Sequence, residues 1–206
     1  MVMCRVFTMK YFLGFLLALI IVFLNFRILI FNPNFYESLS ENNPGFNKEQ
    51  SINIINYFKS SEQLKKEIYT EKEILHLNDV KTLINNIIFF LYFLIILFFL
   101  LITKYFKELN KILMISFLFV LFLSTILVIL NFSSLFYNFH LIFFKNNLWL
   151  LDKEAALIKL FPEIFFKNFF SSILLRSFIL SLILAVISLI PKFKHVFTKI
   201  KKIFIY

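Results

Sequence analysis

Four stretches of the chain are dominated by apolar side chains: residues 11–31, 83–103, 112–132 and 170–190. Each holds about 20 residues, enough at roughly 1.5 Å per helical residue to cross a hydrocarbon layer of about 30 Å. Backbone facing lipid must bond to itself, so the stretches predict helices. The first follows a short leader with Arg5 and Lys10 and runs into Asn32-Pro33-Asn34-Phe35. That junction offers no small-residue cleavage site, so the segment reads as a retained signal anchor.

Between the spans the pattern changes. Residues 32–82 open with turn chemistry at Asn32-Pro33-Asn34 and at Asn42-Asn43-Pro44-Gly45. From Lys59 to Asp79, Leu64, Ile68, Ile74, Leu75 and Leu77 alternate with charges. This predicts a helix running without a break into the second span. Residues 104–111 are too few for anything but a tight turn, so the second and third spans are antiparallel neighbours. The fold class expected is all-α: a single domain, 1–206, made of a four-helix membrane bundle whose two longer loops, 32–82 and 133–169, form a small helical cap.

Charge sets the orientation. Leader, turn and tail carry Arg5, Lys10, Lys104, Lys107, Lys111, Lys192, Lys194, Lys199, Lys201 and Lys202, against Glu108 alone. The two long loops spread their lysines over more chain and balance them with acids. Basic density therefore places residues 1–10, 104–111 and 191–206 in the cytoplasm, with the long loops outside.

Composition removes other classes. The chain is 60% hydrophobic, with a mean hydropathy of +0.84, too apolar for a soluble domain of 206 residues. The net charge of +10 would suggest nucleic acid in a soluble protein, but here the charges lie between membrane-length apolar runs. Cys4 is the only cysteine and lies in the leader, so no disulfide or thiolate metal site is expected.

The candidate chemistry is extracytoplasmic. Glu73, His76 and Asp79 are spaced to share one helical strip. Carboxylates flanking an imidazole can fix its tautomer and raise its pKa, although the same spacing suits a solvated charged face. His76 lies seven residues before Leu83, and His140 eight residues after Phe132. Both histidines therefore stand above the same membrane face on adjacent segments, whereas His195 falls in the basic tail. Around His140, Phe139, Phe144 and Trp149 form an aromatic surface suited to the headgroup zone, either as simple anchors or as the wall of a lipid-binding site. Arg176 lies within the fourth span; it is either a substrate contact or a side chain snorkelling to headgroups.

Two motif blocks carry a family resemblance. The first is E-x-x-H-L-x-D-V-K, from Glu73 to Lys81. The second joins Phe139-His140, Phe144 and Leu148-Trp149-Leu150-Leu151-Asp152 to Leu160-Phe161-Pro162-Glu163 with Phe165-Phe166. Together they resemble the DUF1461 family of bacterial integral membrane proteins, which includes a lipoprotein intramolecular transacylase. The resemblance covers nearly the whole chain. It implies an enzyme acting on diacylglyceryl-modified lipoproteins in the outer leaflet of the cytoplasmic membrane. The sn-2 acyl chain would move to the α-amine of the lipidated cysteine, giving a lyso-form product. Two outer-face histidines do this work in the family, and they map onto His76 and His140.

Such a transfer needs no enzyme nucleophile, since the substrate supplies both nucleophile and electrophile. It needs a base, an acid and a rigid pocket. Glu73 or Asp79 would orient His76; Lys81 and Lys145 are candidate oxyanion or phosphate contacts; Asp152 is a further supporting acid. Phe139, Phe144, Trp149 and Arg176 would bind substrate. No cofactor or metal is implied, and membrane lipid is the second partner. Two other readings remain at this level: a metal-dependent membrane hydrolase using His76, His140 and a carboxylate, and a non-enzymatic transport or assembly subunit, disfavoured by the few polar residues in the spans.

Overall fold

The structure is a computed structural model that describes residues 2–59, 63–65 and 67–190, with side chains from residue 8 onward. The side chains of Cys4 and Arg5, and the whole of the basic tail with His195, therefore lie outside what is described structurally. Among the described residues every regular element is helical. In order these are α1 (Val2–Ile30), α2 (Pro33–Leu39), α3 (Lys48–Lys59), α4 (Glu71–Tyr105), α5 (Leu109–Ile129), α6 (Phe132–Phe143), α7 (Ala156–Leu160) and α8 (Glu163–Leu189). A short 3-10 turn, Phe106–Glu108, separates α4 from α5.

Three stretches are long and apolar enough to cross a membrane: Thr8–Ile30, Glu71–Ile129 and Glu163–Leu189. The middle one comprises α4, the 3-10 turn and α5. Two boundaries differ from the hydropathy pattern. The helix expected from Lys59 begins only at Glu71, after a turn at Glu67–Tyr69; the charges between Lys59 and Thr70 did not define an apolar stripe. The apolar run ending at Phe132 is shared between α5 and α6. Asn131 breaks it, its side chain accepting a hydrogen bond from the Ser134 amide at 3.1 Å as the N-cap of α6.

The chain forms two compact units. Among the described residues the first contains 2–25, 90–126 and 173–190. Its core joins Leu13, Leu16 and Ile20 of α1 to Leu91, Leu94, Phe98 and Ile102 of α4 and to Ile112 of α5. Spacings of three and four residues put each set on one helical face. On the opposite face of α4, Phe93, Ile96, Phe99 and Leu100 are exposed. A helix apolar on both faces is what a hydrocarbon surrounding demands. A Cβ on Gly14 would come within 2.4 Å of Ile115, so only glycine allows α1 and α5 this approach. Buried Asn25 donates to the Ile21 carbonyl at 3.0 Å and to Ser177 Oγ at 3.2 Å, which satisfies the polar group inside the bundle.

The second unit contains residues 26–89 and 127–172, and with them the short helices. Asn32 caps α2 and Pro33 occupies its first turn. Tyr36 of α2 packs against Phe161, Phe165 and Phe169 with centroids 5.3–6.1 Å apart. Its hydroxyl donates to the Ile30 carbonyl at 3.1 Å. Ser51, Ile54, Ile55 and Phe58 form the buried face of α3. The Asn43 amide donates to the carbonyls of Lys159 and Leu160 at 2.9 and 3.1 Å, binding the C-terminal end of α7.

Candidate active site

The first turns of α4 and the whole of α6 bring the two histidine candidates together. His76 projects from α4 and His140 from α6, with ring centroids 6.2 Å apart and planes 32° apart. Phe144 contacts both rings, at 5.3 Å from His76 and 5.5 Å from His140. Trp149 lies 4.9 Å from His140 at 31°, and Phe136 meets the same ring edge-on at 4.5 Å. Phe139 adds a further edge contact at 5.6 Å. The three aromatics singled out in the sequence thus surround His140, which is only partly exposed.

One hydrogen bond fixes the chemistry of His140. Its Nδ1 is 2.7 Å from the Phe136 carbonyl, one helical turn back. A carbonyl can only accept, so Nδ1 carries the proton and Nε2 keeps its lone pair. Burial holds the His140 pKa below the usual histidine range, against an opposing pull from the Phe136 carbonyl. His76, on the first turns of α4 ahead of the apolar run, is pushed down to about 4. Burial is the main cause and the neighbouring His140 adds to it, while Asp79 acts in the opposite direction. At neutral pH both imidazoles are uncharged and able to accept a proton.

The carboxylates do not serve as the sequence suggested. Glu73 is 1% exposed and turns away from His76. Its Oε2 accepts from the Thr70 amide and hydroxyl, both at 2.8 Å, and its Oε1 accepts from the Leu157 amide at 2.9 Å. It therefore caps the start of α4 and holds the start of α7. Asp79 Oδ2 accepts from the Asn146 amide at 2.8 Å. Among the described residues Nδ1 of His76 is buried without a hydrogen-bond partner, and no carboxylate bonds to it. The expected rise in its pKa is overturned because desolvation outweighs the influence of Asp79.

The remaining candidates scatter. Lys81 places its ammonium 4.1 Å from the Tyr57 ring centroid, fastening α4 to α3. Lys145 is exposed, as is Asp152 in the turn before α7. Arg176 is exposed on α8 and belongs to the first unit. Lys72, not singled out in the sequence, donates to the Leu150 carbonyl. Phe136 and Asn146 were also missed. A helical histidine can always bond to the carbonyl four residues back, but that signal is readable only once residues 132–143 are known to be helix. Among the described residues no group of three His, Cys, Asp or Glu side chains converges as a metal site.

The depressed pKa values predict a pH dependence. A histidine whose folded pKa lies below its unfolded value stabilises the fold fully above about 6.5 and loses that contribution as the pH falls towards the folded value. For His76 the window is therefore about 6.5 to about 4. Thermal midpoints in detergent should fall across it, and activity with them, more steeply for the native chain than for His76→Phe. Equal slopes for the two chains would contradict the assignment.

The profile of the family described as lipoprotein intramolecular transacylase Lit matches residues 7–166. Among solved structures, the in meso structure of the membrane integral lipoprotein intramolecular transacylase Lit from Bacillus cereus is similar, with a TM-score of 0.72 at 19% identity. That match covers 97% of this chain and 98% of the other. A histidine-to-arginine variant of the Bacillus cereus protein gives a TM-score of 0.67 at 20% identity, covering 97% and 94%. At these identities the likeness establishes a shared fold. No curated protein matches.

Proposed function

The chain belongs to the lipoprotein intramolecular transacylase family, and from that premise we propose how this member performs the transfer. It is a multi-pass membrane enzyme acting on lipoproteins. In our reading the substrate carries an S-diacylglyceryl cysteine at its N-terminus and sits in the outer leaflet. The sn-2 acyl chain passes from glyceryl oxygen to the α-amine of the same cysteine.

The observation that carries the mechanism is the 2.7 Å bond from His140 Nδ1 to the Phe136 carbonyl. It leaves Nε2 as a base in a fixed tautomer, inside an aromatic wall. His140 Nε2 removes one proton from the α-ammonium, and the free amine attacks the ester carbonyl carbon. The tetrahedral intermediate collapses by breaking the bond to the glyceryl oxygen, which takes a proton as it leaves. In this reading His76, 6.2 Å away between ring centroids, shares that second proton transfer. Ammonium and ester become amide, alcohol and one released proton, so no acyl-enzyme is needed. Phe136, Phe139, Phe144 and Trp149 keep water from the intermediate and suit a lipid chain better than a soluble metabolite.

Four crossings, by α1, α4, α5 and α8, fit the turn at Phe106–Glu108, which divides a stretch otherwise far longer than one crossing requires. With the basic residues in the cytoplasm, the short helices and both histidines form an extracytoplasmic cap.

Mass spectrometry of the N-terminal peptide of a resident lipoprotein tests this reading. Cells making the diacylglyceryl form should convert it, when this chain is expressed, to an N-acyl, S-monoacylglyceryl peptide of unchanged total acyl mass. Release of free fatty acid instead would identify a hydrolase. An unaltered diacylglyceryl peptide, with the protein present in the membrane, would reject the reaction.

A further inference from the structure

Asp79 lies one turn beyond His76 on α4 and is half-buried. Among the described residues it forms no ion pair; the Asn146 side chain holds Oδ2 at 2.8 Å. The lysines flanking this stretch are engaged elsewhere, Lys72 with the Leu150 carbonyl and Lys81 on the Tyr57 ring. Asn146 follows Phe144 by two residues, and Phe144 packs on His76, so the amide that fixes Asp79 belongs to the wall of the histidine pair. A carboxylate given a neutral anchor and no cation among the described residues, close enough to His76 to bear on its charge, is arranged to receive a cation from outside the chain.

We propose that Asp79, fixed by Asn146, binds the α-ammonium of the lipoprotein's N-terminal cysteine and so selects substrates with a free amine. The proposal rests on the lipoprotein reading and adds to it the group that recognises the amine. It also supplies a direction to turnover. The substrate nitrogen enters as a monocation, complementary to the Asp79 carboxylate. It leaves as an amide with no charge, once one proton has gone to solvent and one to the glyceryl oxygen. The attraction therefore disappears with the chemistry, and product is released where substrate was held.

The test uses full-length protein in lipid nanodiscs and two synthetic S-(dialkylglyceryl)-cysteinyl peptides, one with a free α-amine and one N-acetylated. Their ether linkages leave no acyl group to transfer, so binding is read without turnover. The native chain should bind the free-amine peptide about tenfold more tightly, the ratio expected for one charge-assisted hydrogen bond. Asp79→Asn should bring the two affinities to within about twofold by weakening only the free-amine form, and Asp79→Glu should restore part of the preference. An unchanged preference in Asp79→Asn would overturn the proposal, as would equal loss of both peptides. If the native chain bound neither peptide and also formed no N-acyl product, the lipoprotein reading itself would fall, and the proposal with it.

Discussion

Replacing His140 by phenylalanine should lower lyso-lipoprotein formation about 10²–10⁴-fold, the usual contribution of a positioned base. Phenylalanine is the informative choice because it keeps an aromatic ring where Phe136, Phe144 and Trp149 pack, at 4.5, 5.5 and 4.9 Å. What it removes is Nε2 and the Nδ1 bond to the Phe136 carbonyl. That bond is worth only about 1 kcal/mol to the fold, so the thermal midpoint in detergent should move little. Alanine at the same position would lose the base and open a cavity together, and the two effects could not be separated. Native-level conversion by a well-expressed His140→Phe protein, read by peptide mass, would end the case for His140 as the base. A loss confined to His76→Phe would move that role to the other ring.

The second large effect is expected at Glu73, and there it should appear as instability. Thr70 and Leu157 direct three donors at a side chain that is 1% exposed. Removing it in Glu73→Ala leaves those donors without their acceptor, at a cost of about 3 kcal/mol. Lys72 grips the Leu150 carbonyl while Glu73 holds the Leu157 amide, so the first turn of α4 ties both ends of the segment following Trp149. Loosening it should free Trp149 from His140 and depress activity along with the thermal midpoint. Glu73→Gln should recover only part of the stability, because its amide group would direct a donor at donors. If Glu73→Ala kept the native midpoint and lost activity outright, Glu73 would be acting on the chemistry directly.

These two residues show how far the sequence could be followed. Glu73, His76 and Asp79 share a helical strip by spacing alone, and proximity in sequence made the carboxylates seem natural partners of the imidazole. In the fold, Glu73 reaches Leu157, Asp79 reaches Asn146, and Nδ1 of His76 has neither. The aromatic surroundings of His140 were legible as residue types. Their arrangement around the ring was not, because it depends on α6 being helical and on the chain returning through Trp149. Phe136 shows this most sharply, since the atom that sets the His140 tautomer is a backbone carbonyl, which residue identity does not mark.

The sequence by itself determined the all-helical class, the apolar stretches that become α1, α4, α5 and α8, and the pairing of His76 with His140. Hydropathy acts residue by residue over a window no longer than one helix, and the short turn at Phe106–Glu108 then forces the helices on either side to run back alongside each other. The tertiary structure alone decided the protonation chemistry and the duties of the acids. A buried carboxylate or imidazole takes its state from whichever donors, carbonyls and rings the chain delivers to it, and here those come from as far away as Leu157, 84 residues beyond Glu73.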